Sequence, residues 1–470
     1  MKKRSRLSLA VAAFVAVAVS FILLGCGNNF FFAGRTLPPS GVTQRVLVAV
    51  DNPVGSLQFM DAFYDIRHPF NNPNVRFSIS GFSGANPVTI QNLPEEQVGL
   101  VYSSGDGSLA SVSYAQEKMN NNVVAAGTIS TSIFGSHKQD YFVASDQNSH
   151  AMMVDDVALG TQLLMNVPGI NHVSMSSNAG LVLGFVQGSN VVFSLVKLTL
   201  AQQTQFAVAG SWEANPAIQD CEPQSLPTYC VYKVADPNNE FDQPVKAIFS
   251  ADGQSIYVLN CGPECGGTQA GIVTIPISNA VLNANQAGPA GLSLQAGPLL
   301  RVPGGATNAL QSGSTLYVAG QQLQPDGLEA GFLSVVNLGS YTVTGQYSIS
   351  DGTHNKMSVA DDNTLWIGSQ RCQTGERFKQ SSAGQNVQFG CLTMFNTTTN
   401  AVTVDRYIGD LTGIADVEGL HKIYVGEGGQ VHIYSTTNFA ELDNTNVTVT
   451  GTVSDVAYMD GSSDANNTTY

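Results

Sequence analysis

The sequence has few charged residues, and basic residues are the scarcest. Charged side chains make up 12% of the 470 residues, against about 25% in an ordinary soluble protein. Only 20 Lys and Arg stand against 35 Asp and Glu, so the formal charge is −15. Because an acidic surface repels a phosphate backbone, no nucleic-acid partner is expected. The 43% hydrophobic content is enough to build a core and argues against charge-driven disorder.

Several motifs of catalytic chemistry are also missing. The chain contains no Gly-rich phosphate loop, no HExxH and no GxSxG motif. No helical periodicity of useful length accompanies the apolar runs, which excludes helical solenoids. The sequence therefore assigns no catalytic residue.

The N-terminus has the pattern of an export signal. Four basic residues lie between positions 2 and 6, and an apolar stretch over 7–24 follows. A stretch this long could also span a membrane, so the residues at its end decide between a cleaved signal and a spanning helix. The Leu-Leu-Gly-Cys sequence ending at Cys26 resembles the bacterial lipobox, which implies cleavage before Cys26 and its acylation. We predict a lipoprotein signal peptide over 1–25 and a lipidated N-terminus and tether over 26–44.

The predicted anchor fixes the expected location. Two or three acyl chains hold a protein stably, since each buried methylene contributes about 0.8 kcal/mol. We expect a bacterial cell-envelope protein that is exported and attached to a membrane by lipid, facing the periplasm or exposed at the surface.

The rest of the chain repeats one pattern. A short β-branched or aromatic run, a polar turn and a second apolar run recur at spacings of roughly 40 to 75 residues, as in β-propellers. The runs begin at Val46, Val98, Tyr141, Leu181, Ile256, Leu316, Leu365 and Ile423. The prediction is an all-β fold, a β-propeller over 45–460 with a tail over 461–470. The strand count favours eight blades; seven is the alternative, because the units near 98 and 141 are the least regular.

The strand order within a blade can be read from residues 245–277. An innermost strand, an Asp-Gly turn, a second strand from Ile256 and a third strand follow one another. At the C-terminus, 453–459 looks like an innermost strand with no second strand after it, and the first unit has no innermost strand before Val46. We predict that the C-terminal strand closes the ring, which removes exposed sheet edges.

The repeated strands resemble a known family. IYVLN, LYVAG and IYVGE, beginning at Ile256, Leu316 and Ile423, are similar to the YVTN repeats of exported bacterial propellers. The resemblance implies the fold more than an activity. Related lactonase-type propellers share the repeat, which keeps a hydrolase reading open. With Trp212 and Trp366 the only tryptophans, the repeated Trp motifs of quinoprotein propellers are missing.

Six cysteines other than Cys26 predict disulfides. An even number in an exported chain indicates disulfide bonds, and proximity in sequence favours neighbours as partners. The predicted pairs are Cys221 with Cys230, Cys261 with Cys265, and Cys372 with Cys391. A metal site on the Cys261-x-x-x-Cys265 spacing is the alternative, but two further ligands are not signalled nearby.

Residues 200–244 form the longest insertion. It contains five prolines, two cysteines and an acidic stretch, and loops on a rigid scaffold often bind partners. It is the candidate partner-contact loop, or else a decoration that covers one face. A calcium site at Asp236, Glu240 and Asp242 is a weaker reading, because the spacing lacks the alternating ligands of a calcium loop.

The starts of the innermost strands supply the candidate channel residues. His172, Asn308 and His354 lie there, where a propeller brings chain from every blade together. Such a polar ring could hold a small ligand or a metal, or only water.

These observations favour a monomeric, lipid-anchored, non-enzymatic propeller that binds an envelope protein or polymer and carries no cofactor. The alternative is a lactonase-like hydrolase with a divalent metal in the central channel.

Overall fold

The computed structural model describes residues 35–462 apart from 52–54, 126–129, 137–140, 147, 157–159, 177–179, 209, 278–293 and 443–446. The predicted signal peptide (1–25), Cys26 and most of the predicted tail therefore lie outside the described residues. Within this part of the chain, no helix combines the length and the apolar character needed to cross a membrane.

Over its described residues, the first half of the propeller contains fifteen strands and one α-helix, α1 (Leu200–Phe206). The strands are β1 (Arg45–Asp51), β2 (Ser56–Asp61), β3 (Pro87–Leu93), β4 (Val98–Ser103), β5 (Ser108–Ser113), β6 (Lys118–Ala125), β7 (Ser130–Ser136), β8 (Tyr141–Asp146), β9 (Ala151–Asp156), β10 (Thr161–Asn166), β11 (Ile170–Met175), β12 (Val182–Val186), β13 (Val192–Lys197), β14 (Ile218–Glu222) and β15 (Tyr229–Lys233).

The second half contains the remaining strands and the helix α2 (Glu376–Ser382). The strands are β16 (Pro244–Phe249), β17 (Ser255–Asn260), β18 (Gly271–Pro276), β19 (Leu299–Arg301), β20 (Asn308–Ser312), β21 (Thr315–Leu323), β22 (Glu329–Asn337), β23 (Thr342–Ile349), β24 (Thr353–Ala360), β25 (Thr364–Gln370), β26 (Leu392–Asn396), β27 (Val402–Val404), β28 (Leu411–Val417), β29 (Lys422–Glu427), β30 (Gln430–Ser435) and β31 (Thr452–Tyr458). Short 3-10 turns cover Pro94–Glu96, Gly262–Cys265, Asp361–Asn363 and Cys372–Thr374.

These strands form eight antiparallel sheets, so the protein is an eight-bladed β-propeller. Blade 1 contains β31, β1 and β2, and blades 2 and 3 contain β3 to β6 and β7 to β10. Blade 4 contains β11 to β15, blades 5 to 7 contain four strands each from β16 to β27, and blade 8 contains β28 to β30. The prediction of eight blades is confirmed. All eight recurring runs of the sequence are the second strands of blades.

The C-terminal strand closes the ring, as predicted. In blade 1, β31 is the innermost strand and pairs antiparallel with β1, with Val46 opposite Tyr458 and Val48 opposite Val456. Residues from the two ends of the chain thus share one sheet. This pairing gives β1 a neighbour on both sides, so neither of its edges is exposed.

The turn between the first two strands of blade 5 shows how local sequence sets the strand order. Gly253 has a φ of 66°, which glycine adopts without steric cost. The Asp252 carboxylate accepts hydrogen bonds from the Ser250 hydroxyl (2.6 Å) and the Gln254 amide (3.0 Å). The Asp-Gly pair therefore reverses the chain between β16 and β17.

The core lies between neighbouring blades. Leu183 and Phe185 of blade 4, for example, pack with Val258 and Val273 of blade 5 in one buried cluster. Trp366 of blade 7 is fully buried, and its ring centroid lies 5.8 Å from that of Tyr434 in blade 8. Each blade is thus stabilised by the two beside it.

Residues 200–244 form part of the propeller as well as a connection. After α1, β14 and β15 extend blade 4 to five strands, with β15 paired to β13 and β14 at the outer edge. The Cys221–Cys230 disulfide joins these two strands. The segment predicted as an inserted loop therefore contributes the outer strands of a blade.

All three predicted disulfides are present: Cys221 is bonded to Cys230, Cys261 to Cys265, and Cys372 to Cys391. Disulfides form and persist in oxidising compartments, so they point to an exported protein.

Candidate binding site in the central channel

The central channel opens on one face of the propeller, which we call the mouth face. The first residues of innermost strands and the last residues of second strands meet there, because neighbouring strands are antiparallel. The opposite face carries the other ends of these strands. The channel has a volume of about 910 Å³. Its wall includes Ile90, Ser132, His172, Lys246, Asn308, His354, Lys356, Thr412 and Ser454.

β-Bulges shape this wall. The pairing of β11, β16 and β24 with their neighbours shifts register just before His172, Lys246 and Lys356, respectively. Bulges also occur at the same end of β3 and β28. A bulge twists a strand and re-aims the next side chain, so these three polar residues can face the channel although the strands continue into the apolar core.

The three predicted channel residues, His172, Asn308 and His354, all line the channel. His354 is buried, and its Nε2 lies 3.0 Å from the Ser350 carbonyl oxygen. Because that oxygen can only accept, Nε2 carries the proton of the neutral ring and Nδ1 remains an acceptor, with no partner among the described residues. Burial lowers the pKa of His354 to about 4 despite the Ser350 hydrogen bond.

His172 lies between aromatic rings deep in the wall. Its ring centroid is 6.2 Å from that of Phe134 and 6.1 Å from that of Phe185. Burial, with the nearby charge of Lys246, lowers the pKa of His172 to about 3. Its Nε2 has no hydrogen-bond partner in the part of the chain that the structure describes. Both channel histidines are therefore neutral at physiological pH.

Lys246 bonds to an amide and, among the described residues, to no carboxylate. Its Nζ donates to Asn308 Oδ1 at 2.7 Å, and the same oxygen accepts from the Ala309 amide at 3.0 Å. Burial, with the charge of Lys356, lowers the pKa of Lys246 to about 8. The ammonium group retains two N–H donors beyond the one used by Asn308.

Lys356 reaches across blade 8 to the closing strand. Its Nζ lies 2.9 Å from both carboxylate oxygens of Asp455 in β31. Gly413 of blade 8 packs against β31, and a Cβ there would lie 2.4 Å from the Val456 amide nitrogen and 2.7 Å from Asp455 Oδ1. The absence of a side chain at Gly413 thus leaves room for an ion pair between blades 7 and 1. Asp455 also accepts from the Ile90 and Val456 amides, which occupies both of its oxygens.

The charge on the wall is mainly positive. Lys246, Lys356 and Arg371 line the channel, against one carboxylate among the described lining residues, Glu264. Glu264 accepts from the Gln321 amide (2.9 Å) and Nε2 (3.1 Å), and burial raises its pKa. Over the described residues, no group of three His, Cys, Asp or Glu is arranged to hold a metal ion.

The residues of the two metal sites considered from the sequence are bound to other groups. Cys261 and Cys265 are bonded to each other. Asp236 accepts from the Glu240 and Phe241 amides, while Asp242 accepts from the Thr268 and Gln269 amides. These carboxylates cap turns of the chain and do not converge on one point in this structure.

Disulfide-bonded loops surround the channel mouth. Cys265 lines the channel, as does Arg371, which precedes Cys372 and has a φ of 57°. Between Cys372 and Cys391, α2 carries Phe378, whose ring contacts Phe389 (5.2 Å), which stacks on Tyr407 (5.0 Å). Phe378 and Tyr407 are each 41% exposed. We call these three rings the mouth aromatic cluster.

Sequence reasoning missed the charged residues of the channel, Lys246, Lys356, Arg371 and Glu264, and the buried Asp455 that pairs with Lys356. A usable signal existed for three of them. Lys246, Lys356 and Asp455 each stand one residue before the apolar part of an innermost strand, where a charge would otherwise be out of place. Arg371 gives no such signal, because it lies in a connecting loop.

No protein-family model matches this sequence. No curated protein resembles it closely enough in sequence to count as a relative.

Similar solved structures exist. The dihydro-heme d1 dehydrogenase NirN, in complex with DHE, has a TM-score of 0.55 at 12% identity over 90% of this chain and 76% of its own. Apo AztD from Citrobacter koseri has a TM-score of 0.47 at 12% identity over 88% of this chain and 97% of its own. A Bacteroides uniformis protein provisionally assigned as a 6-phosphogluconolactonase has a TM-score of 0.45 at 8% identity over 88% and 99%. The similarity to NirN shows a shared propeller fold and leaves activity open.

Proposed function

We propose that this protein is an exported, lipid-anchored propeller of the YVTN-repeat type that binds an envelope protein or polymer on its mouth face without catalysing a reaction. The observation that carries this proposal is the mouth aromatic cluster. It is half-exposed, two of its three rings, Phe378 and Phe389, lie in the loop closed by the Cys372–Cys391 disulfide, and it lies on the face where the channel opens. Exposed aromatic side chains on a rigid loop are typical of binding surfaces.

A second support is that the loop between Cys372 and Cys391 is firmly attached to the propeller. Arg377 of α2 donates from Nε to the Ile349 carbonyl (2.6 Å), and its amide donates to Asp351 (2.6 Å). Such a loop loses little conformational freedom when a partner binds, which favours affinity.

The path of the chain supports an orientation. Arg35 donates to the carbonyl oxygens of Pro94 and Gly461, both at 2.8 Å and both just past the ends of innermost strands. The chain therefore enters the propeller on the opposite face. Anchored through Cys26, the protein would turn that face towards the membrane and the mouth face away from it.

The opposite face also carries exposed aromatic rings. Phe63, Tyr64 and Phe70 follow β2, their neighbouring ring centroids are 4.8 Å apart, and each is more than half exposed. Aromatic side chains of this kind favour a membrane interface, which fits the proposed orientation.

The hydrolase alternative finds less support in the channel. A lactonase-like metal site needs carboxylates that converge on one ion. Glu264 is the one carboxylate among the described lining residues, and Gln321 binds it; the buried Asp455 beside the wall is bound by Lys356. We therefore favour binding.

We predict that Cys26 is the first residue of the mature protein and carries acyl chains. Mass spectrometry of the N-terminal peptide from the membrane fraction should find diacylglycerol on the thiol, because the lipobox directs cleavage before it. Cys26→Ser should abolish the modification. A mature protein that still begins at residue 1, or a Cys26→Ser variant processed and lipidated as usual, would contradict this.

We predict that a photoreactive benzoylphenylalanine at Phe378 crosslinks to one discrete partner in living cells. The matched control is the same replacement at Phe63, an exposed aromatic residue on the opposite face. Illumination followed by gel analysis and mass spectrometry should find the adduct from position 378 only. The same adduct in equal yield from position 63, or from that position alone, would be inconsistent with binding on the mouth face.

A further inference from the structure

The central channel contains a cation and amide donors that the protein itself leaves unused. Lys246 has one acceptor, Asn308 Oδ1, and forms no ion pair with any described residue. Since that oxygen is already shared with the Ala309 amide, Asn308 is fixed with its NH₂ group turned away from them. The Asn308 NH₂ has no hydrogen-bond partner in the described chain. Two N–H groups of Lys246 and the NH₂ group of Asn308 therefore lie together on the channel wall as unused donors.

The surrounding charges do not neutralise Lys246. Asp455 is engaged by Lys356 and by two backbone amides, and Glu264 is held by Gln321. Arg371 adds a further positive charge at the mouth. The channel therefore concentrates positive charge inside a protein whose formal charge is −15. A cleft lined by one sign of charge focuses its field on ions of the opposite sign.

We propose that the central channel binds a small oxyanion, a carboxylate or a phosphate group, on Lys246 and the Asn308 amide. The proposed binding function thereby gains a class of ligand. The anion site rests on that function only because it, too, places binding at the mouth face. A half-buried ammonium without a counter-ion is unfavourable, and an oxyanion would supply one. The volume of about 910 Å³ suits a small-molecule ligand.

Unpaired acceptors of the channel wall indicate which other groups the ligand carries. His354 Nδ1 and Asn355 Oδ1 are buried and have no partner among the described residues. Both accept hydrogen bonds, so they match O–H or N–H groups attached to the oxyanion. A hydroxycarboxylate such as citrate presents both kinds of group and is a suitable first probe.

The test is titration calorimetry on the full-length mature protein in detergent. The probes are citrate and inorganic phosphate, with glucose as a neutral control. We expect citrate, phosphate or both to bind and glucose not to bind. Binding of citrate alone assigns a carboxylate ligand, and binding of phosphate alone assigns a phosphate. If neither anion binds at millimolar concentration, the proposal is wrong.

Two variants locate the site. Asn308→Asp keeps the shape and the bond to Lys246 but supplies a counter-ion, and Lys246→Met removes the charge and keeps the stem. Because a hydrogen bond to a charged group contributes about 1.5–3 kcal/mol, each should weaken binding at least about tenfold. Lys233→Met, at an exposed lysine of β15, is the control and should change nothing. An unchanged affinity in Asn308→Asp, with its melting curve intact, would place the anion elsewhere.

The pH dependence gives an independent readout. Citrate affinity should fall as the pH rises through about 8, where Lys246 loses its proton. Around it, His172 and His354 are already neutral, Lys356 is paired with Asp455, and Arg371 and Glu264 are the other charged groups of the wall. A flat profile across this range would exclude the Lys246 ammonium as the binding group.

These experiments need no partner protein. If the crosslink from Phe378 fails while citrate or phosphate binds, the partner proposal is wrong and the anion site stands. The reverse result overturns the anion site alone.

Discussion

A chain that ends at Gly451 is expected to lose the folded state or to aggregate. The truncation removes β31, the innermost strand of blade 1, and leaves β1 as an exposed edge. It also removes the partners of two cations, Asp455 for the partly buried Lys356 and Asp460 for the buried Arg45. Circular dichroism and size-exclusion chromatography of the purified chain would measure the effect.

The size of the effect follows from burial. Val453 and Met459 are fully buried and Val456 is 3% exposed. Loss of one large core side chain costs about 2–5 kcal/mol. The total stability of a domain is only about 5–15 kcal/mol, so losing several such side chains together is more than a fold normally tolerates.

The control for this truncation is a chain that ends at Ser462. It retains β31, Asp460 and the Gly461 carbonyl that accepts from Arg35. It should melt like the full chain. An unchanged melting temperature for the chain ending at Gly451 would contradict the role of β31 in closing the ring.

Replacement of Arg45 by Met is expected to destabilise the protein by about 3–5 kcal/mol, because it leaves two buried carboxylates without their cation. Arg45 is 1% exposed, and its Nη2 and Nε donate to Asp460 (2.7 and 3.0 Å). Its Nη1 donates to Glu117 (2.9 Å) and to the Tyr114 carbonyl (2.7 Å). Urea unfolding followed by tryptophan fluorescence would measure the loss.

The charge state of Arg45 supports this expectation. Burial lowers the pKa of Arg45, but the hydrogen bonds and charges of Asp460 and Glu117 outweigh burial and leave the pKa raised. The guanidinium therefore stays charged at physiological pH. It ties the start of β1 to the chain end and to blade 2.

Two comparisons test the cause of the loss. Arg76→Met, at an exposed arginine that donates to the Pro73 carbonyl, should change stability by no more than about 0.5 kcal/mol. Combining Arg45→Met with Asp460→Asn and Glu117→Gln removes the unpaired charges and should recover part of the stability. If the triple variant is no more stable than Arg45→Met, unpaired charge is not the cause.

Much of the fold could be predicted from the sequence because its signals are local. An apolar run followed by an Asp-Gly turn specifies a strand and its reversal within about ten residues, as Ile256 and Gly253 show. The disulfides were predictable for the same reason, since each joins neighbours in sequence. The fourth and fifth strands of blade 4 were missed, because a segment with five prolines does not look like part of a sheet.

The candidate site was predictable only in part. The positions of His172, Asn308 and His354 at the channel follow from their place at the starts of innermost strands. The partner of Asn308 does not follow, because it belongs to another blade. Lys246 meets Asn308 from the next blade, 62 positions along the chain.

The sequence by itself determined the strands, their turns, the disulfide pairs and the need for a closing strand, since each is set by residues close together in the chain. Only the tertiary structure decided that the channel wall is positively charged. Lys356 meets Asp455 99 positions away, across the space left by Gly413, and Arg45 meets Asp460 415 positions away. Such contacts exist only once a closed ring brings all eight blades around one axis.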